Sequence, residues 1–156
     1  MDIFKKRTVN EMGSKTAGQT VQIRLHSSIQ HPGQEKETHH IEALGRYVEK
    51  LGSSYLQYEE EQDGQKIQST VKLGNDDALI MRSGAIKMRL PFSVDEDRQG
   101  EYRNNHVAFK LQVKTKTLRF IEEEMSGKFA VAYELYAEGS LLGTYELTIT
   151  YAEGIK

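Results

Sequence analysis

The chain has 156 residues, with 21 Lys and Arg against 23 Asp and Glu, a formal net charge of −2. That size fits one ordinary domain, and the balance gives no global attraction to nucleic acid or to an anionic membrane. Cysteine is absent, which excludes disulfides, a thiol nucleophile and thiolate metal sites, and fits a reducing cytoplasm. Mean hydropathy is −0.63, and no stretch approaches the ~20 apolar residues of a membrane-spanning helix.

The first 19 residues read as a flexible or briefly helical lead-in. Lys5, Lys6 and Arg7 form a basic cluster, but no apolar run follows it, so it is not a secretory signal. Its sharper reading, a basic tail on nucleic acid, rests on three charges only. From residue 20 to 152 a single β-barrel domain is expected, followed by a tail over 153–156. The signal is period-two alternation, which puts successive side chains on opposite faces of a strand. Val21, Ile23 and Leu25 oppose Gln22, Arg24 and His26. His31-Pro32-Gly33 makes the first turn.

The next two segments do not sort cleanly. In KETHHIEALGRYV, Ile41 and Ala43 bring His39 inward, whereas Leu44 and Val48 bring His40 and Glu42. A bulge at Gly45 would reconcile the two. In SSYLQYEEE the inward pair is either Tyr55 and Gln57 or Leu56 and Tyr58. Either way a polar atom enters the interior, which a fully dry core does not need.

Regular alternation then returns. Ile67, Val71 and Leu73 share one face, and turn signals at Asp63-Gly64 and Gly74-Asn75-Asp76-Asp77 flank them. Ser83-Gly84 splits ALIMR from AIKMRLPF as a tight hairpin, with Pro91 ending the second strand. Ile86, Met88, Leu90 and Phe92 line one face of this hairpin and Lys87 and Arg89 the other, while Arg82 lies beside the turn and reaches a barrel mouth. The bland reading of these cations is a solvated outer face. The functional one is an anion site, because the planar arginine fork matches carboxylate and phosphate geometry.

Downstream, Val107, Phe109, Leu111 and Val113 alternate, as do Phe129, Val131, Tyr133 and Leu135. Between them LRFIEEEMSGKF reads equally as one helical turn or as a strand-to-turn stretch. After the Glu138-Gly139-Ser140 turn, Leu141, Tyr145, Leu147, Ile149 and Tyr151 share a face, with Gly143 expected at a bulge. The sum is an all-β, closed, antiparallel up-and-down barrel of about nine strands, within a range of about eight to ten. The first strand pairs with the last, so neither edge is left open.

MRSGAIKMRLPF, preceded by STVKLGNDDALI and followed far downstream by GTYELTITY, resembles the YwiB-like family of bacterial proteins. The resemblance spans roughly residues 20–152. It implies a calycin-like barrel similar to lipocalins and fatty-acid-binding proteins. It brings no established activity, substrate or catalytic residue with it.

Patterns that carry chemistry are scarce. The histidines form no HExxH, and His39 and His40, being adjacent on a strand, cannot chelate one metal. There is no GxSxG elbow, and Ser83 reads as a turn residue. Neither GxGxxG nor a P-loop is present, so no cofactor is implied. Glu59-Glu60-Glu61 and Glu122-Glu123-Glu124 read as solvated charge runs, and Asp95-Glu96-Asp97 as a loop tip. Lys110, Lys114 and Lys116 form a basic stripe, but without interleaved exposed aromatics nucleic acid is disfavoured.

Two classes of function follow. The first is a small-ligand-binding module, with Arg82, Arg89, Tyr55, Tyr58 and His39 expected at the mouth or lumen and an amphipathic or anionic ligand as partner. The second is a filled barrel serving as a protein-interaction or homodimeric scaffold, with outward aromatics such as Tyr136. An enzyme is a third class, held open because fold does not fix function.

Overall fold

A computed structural model describes residues 18–153, and the lead-in up to residue 17, with its basic cluster, and the last three residues lie outside this range. Ten strands run in chain order: β1 (Gln19–Gln30), β2 (Glu37–Lys50), β3 (Ser53–Gln62), β4 (Gln65–Leu73), β5 (Asp77–Gly84), β6 (Lys87–Ser93), β7 (Arg98–Arg103), β8 (Ala108–Glu123), β9 (Ser126–Ala137) and β10 (Ser140–Glu153). Each pairs antiparallel with its chain neighbours, and β10 pairs with β1 from Val21–Glu153 to Gln30–Thr144, closing the barrel. No helix among the described residues is long and apolar enough to cross a membrane.

Parity builds the interior. On each strand the alternate apolar residues point inward and meet their neighbours' inward residues in register: Ile23 faces Ala43 and Tyr151, and Leu56 faces Tyr47 and Val71. Leu56, Val71, Phe92, Val113, Phe129 and Ile149 are wholly buried. Burial of such side chains is the main driving force for closure, at about 1.5–3 kcal/mol each before chain entropy is counted.

The ambiguous segments resolve by the same parity. β2 and β3 pair without a register shift, so Ile41, Ala43, Gly45 and Tyr47 face inward and Leu44 lies outside, 71% exposed. Gly45 is a point of close approach rather than a bulge: a Cβ there would lie 2.4 Å from the Gln57 carbonyl oxygen and 2.5 Å from Ile23. The bulges fall elsewhere. Lys116 is the extra residue in β8 where the β8–β9 register shifts, and Leu142 is the extra residue in β10, beside Gly143. Leu142 therefore packs on the core, and Leu141 points outward with Tyr136, contrary to the uninterrupted alternation.

LRFIEEEMSGKF is strand throughout except for a tight turn at Glu124-Met125. Pro91 lies inside β6 rather than at its end. The β6–β7 ladder stops at Arg89–Glu101, so Pro91 has a ladder partner on one side only, where its missing N–H is tolerated. β7, six residues long, is the strand the alternation does not announce. It pairs β8 only as far as Val113, which leaves the second half of β8 with one edge free of a strand. Side chains cover that edge. Thr115 Oγ1 accepts from the Ser93 N–H (3.2 Å), and Asn75 both accepts from the Phe120 N–H (2.8 Å) and donates to its carbonyl (3.0 Å).

Candidate functional site

The barrel has two ends. The terminal end carries the outer ends of β1 and β10 and the turns after β2, β4, β6 and β8; the far end carries the other five turns. At the far end, strand parity aims an unusual set of side chains inward. Tyr58 faces Ser69, Ser69 faces Arg82, and Arg82 faces Met88, across four neighbouring strands. Glu60, two residues beyond Tyr58, shares its face. The Arg82 Nη2 donates to Glu60 Oε1 at 3.1 Å, and the two side chains are only 24% and 16% exposed. The Ser69 Oγ is buried and has no hydrogen-bond partner among the described residues.

Aromatic side chains complete this end. Tyr133 stacks on Tyr145 with ring centres 5.1 Å apart and lies 4.8 Å from Phe92, and Tyr102 and Phe109 form a second pair nearer the rim. Burial, reinforced by the negative charge of Glu60 and opposed by the neighbouring Ser69 hydroxyl and Arg82, pushes the Tyr58 phenol up to about 12. Burial also raises Tyr133, with Tyr145 adding to it and Arg82 opposing. These phenols stay protonated and serve as donors at neutral pH. The end therefore brings a guanidinium, phenol hydroxyls and a buried serine hydroxyl together with the Glu60 carboxylate.

The terminal end is built differently. Tyr47 stacks on Tyr151 with centres 5.4 Å apart, its hydroxyl donates to Glu122, and it shares a hydrogen bond with Ser54 at 2.9 Å. Gly127 sits opposite Tyr151 because a Cβ there would come within 2.4 Å of the phenol oxygen. Here the Tyr47 hydroxyl is tied to Glu122 and Ser54, while the buried Tyr151 hydroxyl makes no hydrogen bond of ordinary geometry among the described residues.

The sequence candidates divide by parity. Arg82 and Tyr58 lie together in the lumen. His39 is on the inward register of β2, opposite Ser27, but at the exposed rim, 3.6 Å from Glu37. Tyr55 and Arg89 are on the outer wall: Tyr55 sits between Val48 and Lys72, and Arg89 between Met81 and Glu101. Their expected place at the mouth or lumen is corrected accordingly, since each is one residue out of step with the inward set. Sequence reasoning passed over Glu60, Ser69, Tyr133 and Tyr145 as members of this group. Glu60 was concealed in an acidic run, although its even spacing from Leu56 and Tyr58 marks it as inward.

His26 and His40 face each other on the outer wall with ring centres 6.0 Å apart, while His39 lies on the opposite face. Among the described residues no group of three or more His, Asp or Glu is placed to hold a metal ion. Two clefts indent the outer wall. One of about 580 Å³ is lined by Gln22, Arg24, Ile121 and Lys128, and one of about 360 Å³ by Arg98, Lys110, Gln112 and Tyr136. Neither touches the Arg82 group.

Residues 23–149 match the model of a family described as a domain of unknown function, DUF1934. The uncharacterized β-barrel protein YwiB of Bacillus subtilis (strain 168) is 30% identical over 138 residues, covering 87% of this chain and 96% of that protein. The crystal structure of the ywiB protein from Bacillus subtilis superposes with a TM-score of 0.78 at 28% identity, covering 88% of this chain and 93% of the other. The match takes in all but the outermost residues of the barrel, the Arg82 hairpin included, and the chain belongs to the DUF1934 family of β-barrel proteins.

Proposed function

We propose that this protein is a calycin-like binding module that takes a small amphipathic or anionic ligand at the far end of its lumen. The observation that carries the reading is the Arg82–Glu60 pair beside the buried Ser69 hydroxyl, set in a wall of aromatic and aliphatic side chains. A barrel filled only for stability gains little from such groups, because well-packed apolar residues of similar volume do as well or better than a buried ion pair. Side chains at this end are also less completely covered: Phe109 is 45% exposed, and Tyr145, Met88 and Ile41 are half-buried. Charged and polar residues on the outer wall, among them Arg24, Lys72, Arg89 and Lys110, support a barrel that faces water. With the absence of cysteine, they support a cytoplasmic setting.

The test is native mass spectrometry of the protein purified from cells of its own source. The expected result is a small-molecule adduct that disappears on denaturation. A bare polypeptide mass under conditions that keep the fold intact overturns the reading.

One observation favours a second reading, a homodimeric or protein-interaction scaffold. Leu44, Ile121 and Met125 are 71%, 43% and 59% exposed on the terminal half of the outer wall, around the larger cleft. The same spectrum reports it as a doubled mass or a retained protein, and Leu44→Glu abolishes the assembly if this wall carries it.

A further inference from the structure

Arg82 presents five N–H donors in a planar fork, and its one carboxylate contact among the described residues, to Glu60 Oε1, is made through Nη2 at 3.1 Å. Geometry suited to a guanidinium and a carboxylate is two parallel bonds, so this pair leaves donor capacity unused. Ser69, only 1% exposed, lies between Tyr58 and Arg82 in the strand register, with its hydroxyl unpartnered. With the Tyr58 phenol on one side and a half-engaged guanidinium on the other, the Ser69 hydroxyl is placed to donate to an acceptor held on Arg82.

The position of Glu60 adds a second element. It stands two residues before the end of β3 at Gln62, next to the Asp63-Gly64 turn. Its side chain therefore reaches water by rotation alone, with the ladder to Ile67 intact. If another carboxylate then takes its place on Arg82, the charge of the site is unchanged and no ion is left buried without a partner.

We infer that Glu60 is a resident stand-in for the carboxylate of a ligand, and that the far end of the lumen takes a small aromatic carboxylate whose oxygens replace those of Glu60 on Arg82 and reach the Ser69 hydroxyl. Flat walls suit the ring: Tyr133 and Tyr145 lie nearly parallel, 6° apart, and Tyr102 and Phe109 flank the rim. The inference rests on the lumen-binding reading and adds to it the ligand's chemistry and a built-in competitor.

Three probes separate the two claims on the full chain: benzoate, its neutral isostere benzamide, and the neutral fluorophore N-phenyl-1-naphthylamine. Each is titrated against the native protein, Glu60→Gln, and the double variant Glu60→Gln/Arg82→Met. The double variant is used because Arg82→Met alone strands the Glu60 carboxylate, and circular dichroism checks that each variant is folded. Benzoate is expected to bind at least about tenfold tighter than benzamide. Removal of the competitor in Glu60→Gln tightens benzoate by about a further tenfold, and the double variant loses this preference. If benzamide binds as well as benzoate, or the fluorophore binds and benzoate does not, the carboxylate inference falls and the lumen reading stands. If none of the three binds, both fall. A folded Glu60→Gln with unchanged or weaker benzoate affinity refutes the role given to Glu60.

Discussion

The two ends of the barrel use the same residue types in different arrangements. At the terminal end, Tyr47 bonds to both Ser54 and Glu122 and stacks on Tyr151, so aromatic and acidic groups are joined across the opening. At the far end, Tyr58, Ser69 and Glu60 stand beside Arg82, and the serine hydroxyl is left without a partner. Each end thus holds a buried hydroxyl without a partner, Tyr151 at the terminal end and Ser69 at the far end, and what sets the far end apart is the Arg82–Glu60 pair. The difference lies in position along the strand as much as in residue type. Carboxylates project at both rims, and the guanidinium of Arg82 joins the inward face where β5 passes Ser69.

The sharpest test of this contrast is to weaken the packed terminal half. Phe129, wholly buried between Phe120 and Ile149, is expected to lose about 3–5 kcal/mol on replacement by alanine, read from chemical denaturation. A cost below about 1 kcal/mol means that this half is not close-packed. Next in size is Arg82→Met, which leaves Glu60 facing the lumen alone. Removing one partner of a fully buried pair costs about 3–5 kcal/mol, and the residual exposure of both side chains brings the expectation nearer to about 2 kcal/mol. Adding Glu60→Gln to it should restore most of the loss. A double variant as unstable as the single one shows that Arg82 contributes through packing rather than charge.

A smaller effect appears at alkaline pH. The Tyr58 phenol ionises near 10 in the unfolded chain and near about 12 in the barrel, so above pH 10 the unfolded state binds fewer protons. Its contribution is fully present below pH 10 and is lost as pH rises through 12. The stability difference between the native protein and Tyr58→Phe should therefore shrink across that window by an amount on the order of 2 kcal/mol. A difference that stays constant places the Tyr58 hydroxyl in contact with water. The smallest effects belong to the outer wall. Arg89→Ala and Tyr55→Ala should each change stability by less than about 0.5 kcal/mol and leave probe binding at the far end unaltered. A larger change in binding breaks the assignment of these two residues to the outside.

What the sequence disclosed and what it concealed follow from the same periodicity. Alternation is set by backbone geometry, so it placed Val21, Ile23, Phe129 and Val131 inside without further information, while it left the choice between Tyr55 with Gln57 and Leu56 with Tyr58 to the strand register. It also foretold the pairing of the first strand with the last. It failed where residue type was allowed to outweigh position: Arg89 and Tyr55 were candidates because of their chemistry, and Glu60 was set aside because of its acidic neighbours. It failed also where one extra residue resets the count, as at Lys116 and Leu142, because the hydrophobic pattern continues plausibly on either side of such a bulge. β7 escaped because a strand with Arg98, Gly100 and Tyr102 on its inward side shows almost no apolar contrast. The Leu51-Gly52 turn escaped because leucine rarely takes the positive φ of 53° that it has there.

The seam between β1 and β10 has a further consequence, which concerns the order in which the chain is made. Ladder partners across it, such as Ser28 and Glu146, are 118 positions apart. A ribosome delivering the chain from its N-terminus releases β1 long before its second neighbour exists. During that interval Val21, Ile23 and Leu25 sit on a strand with one bare edge, the kind of surface that pairs with other chains. The exposure ends only when β10 emerges, so the chain is open to misassembly throughout the synthesis of the strands that lie between the two.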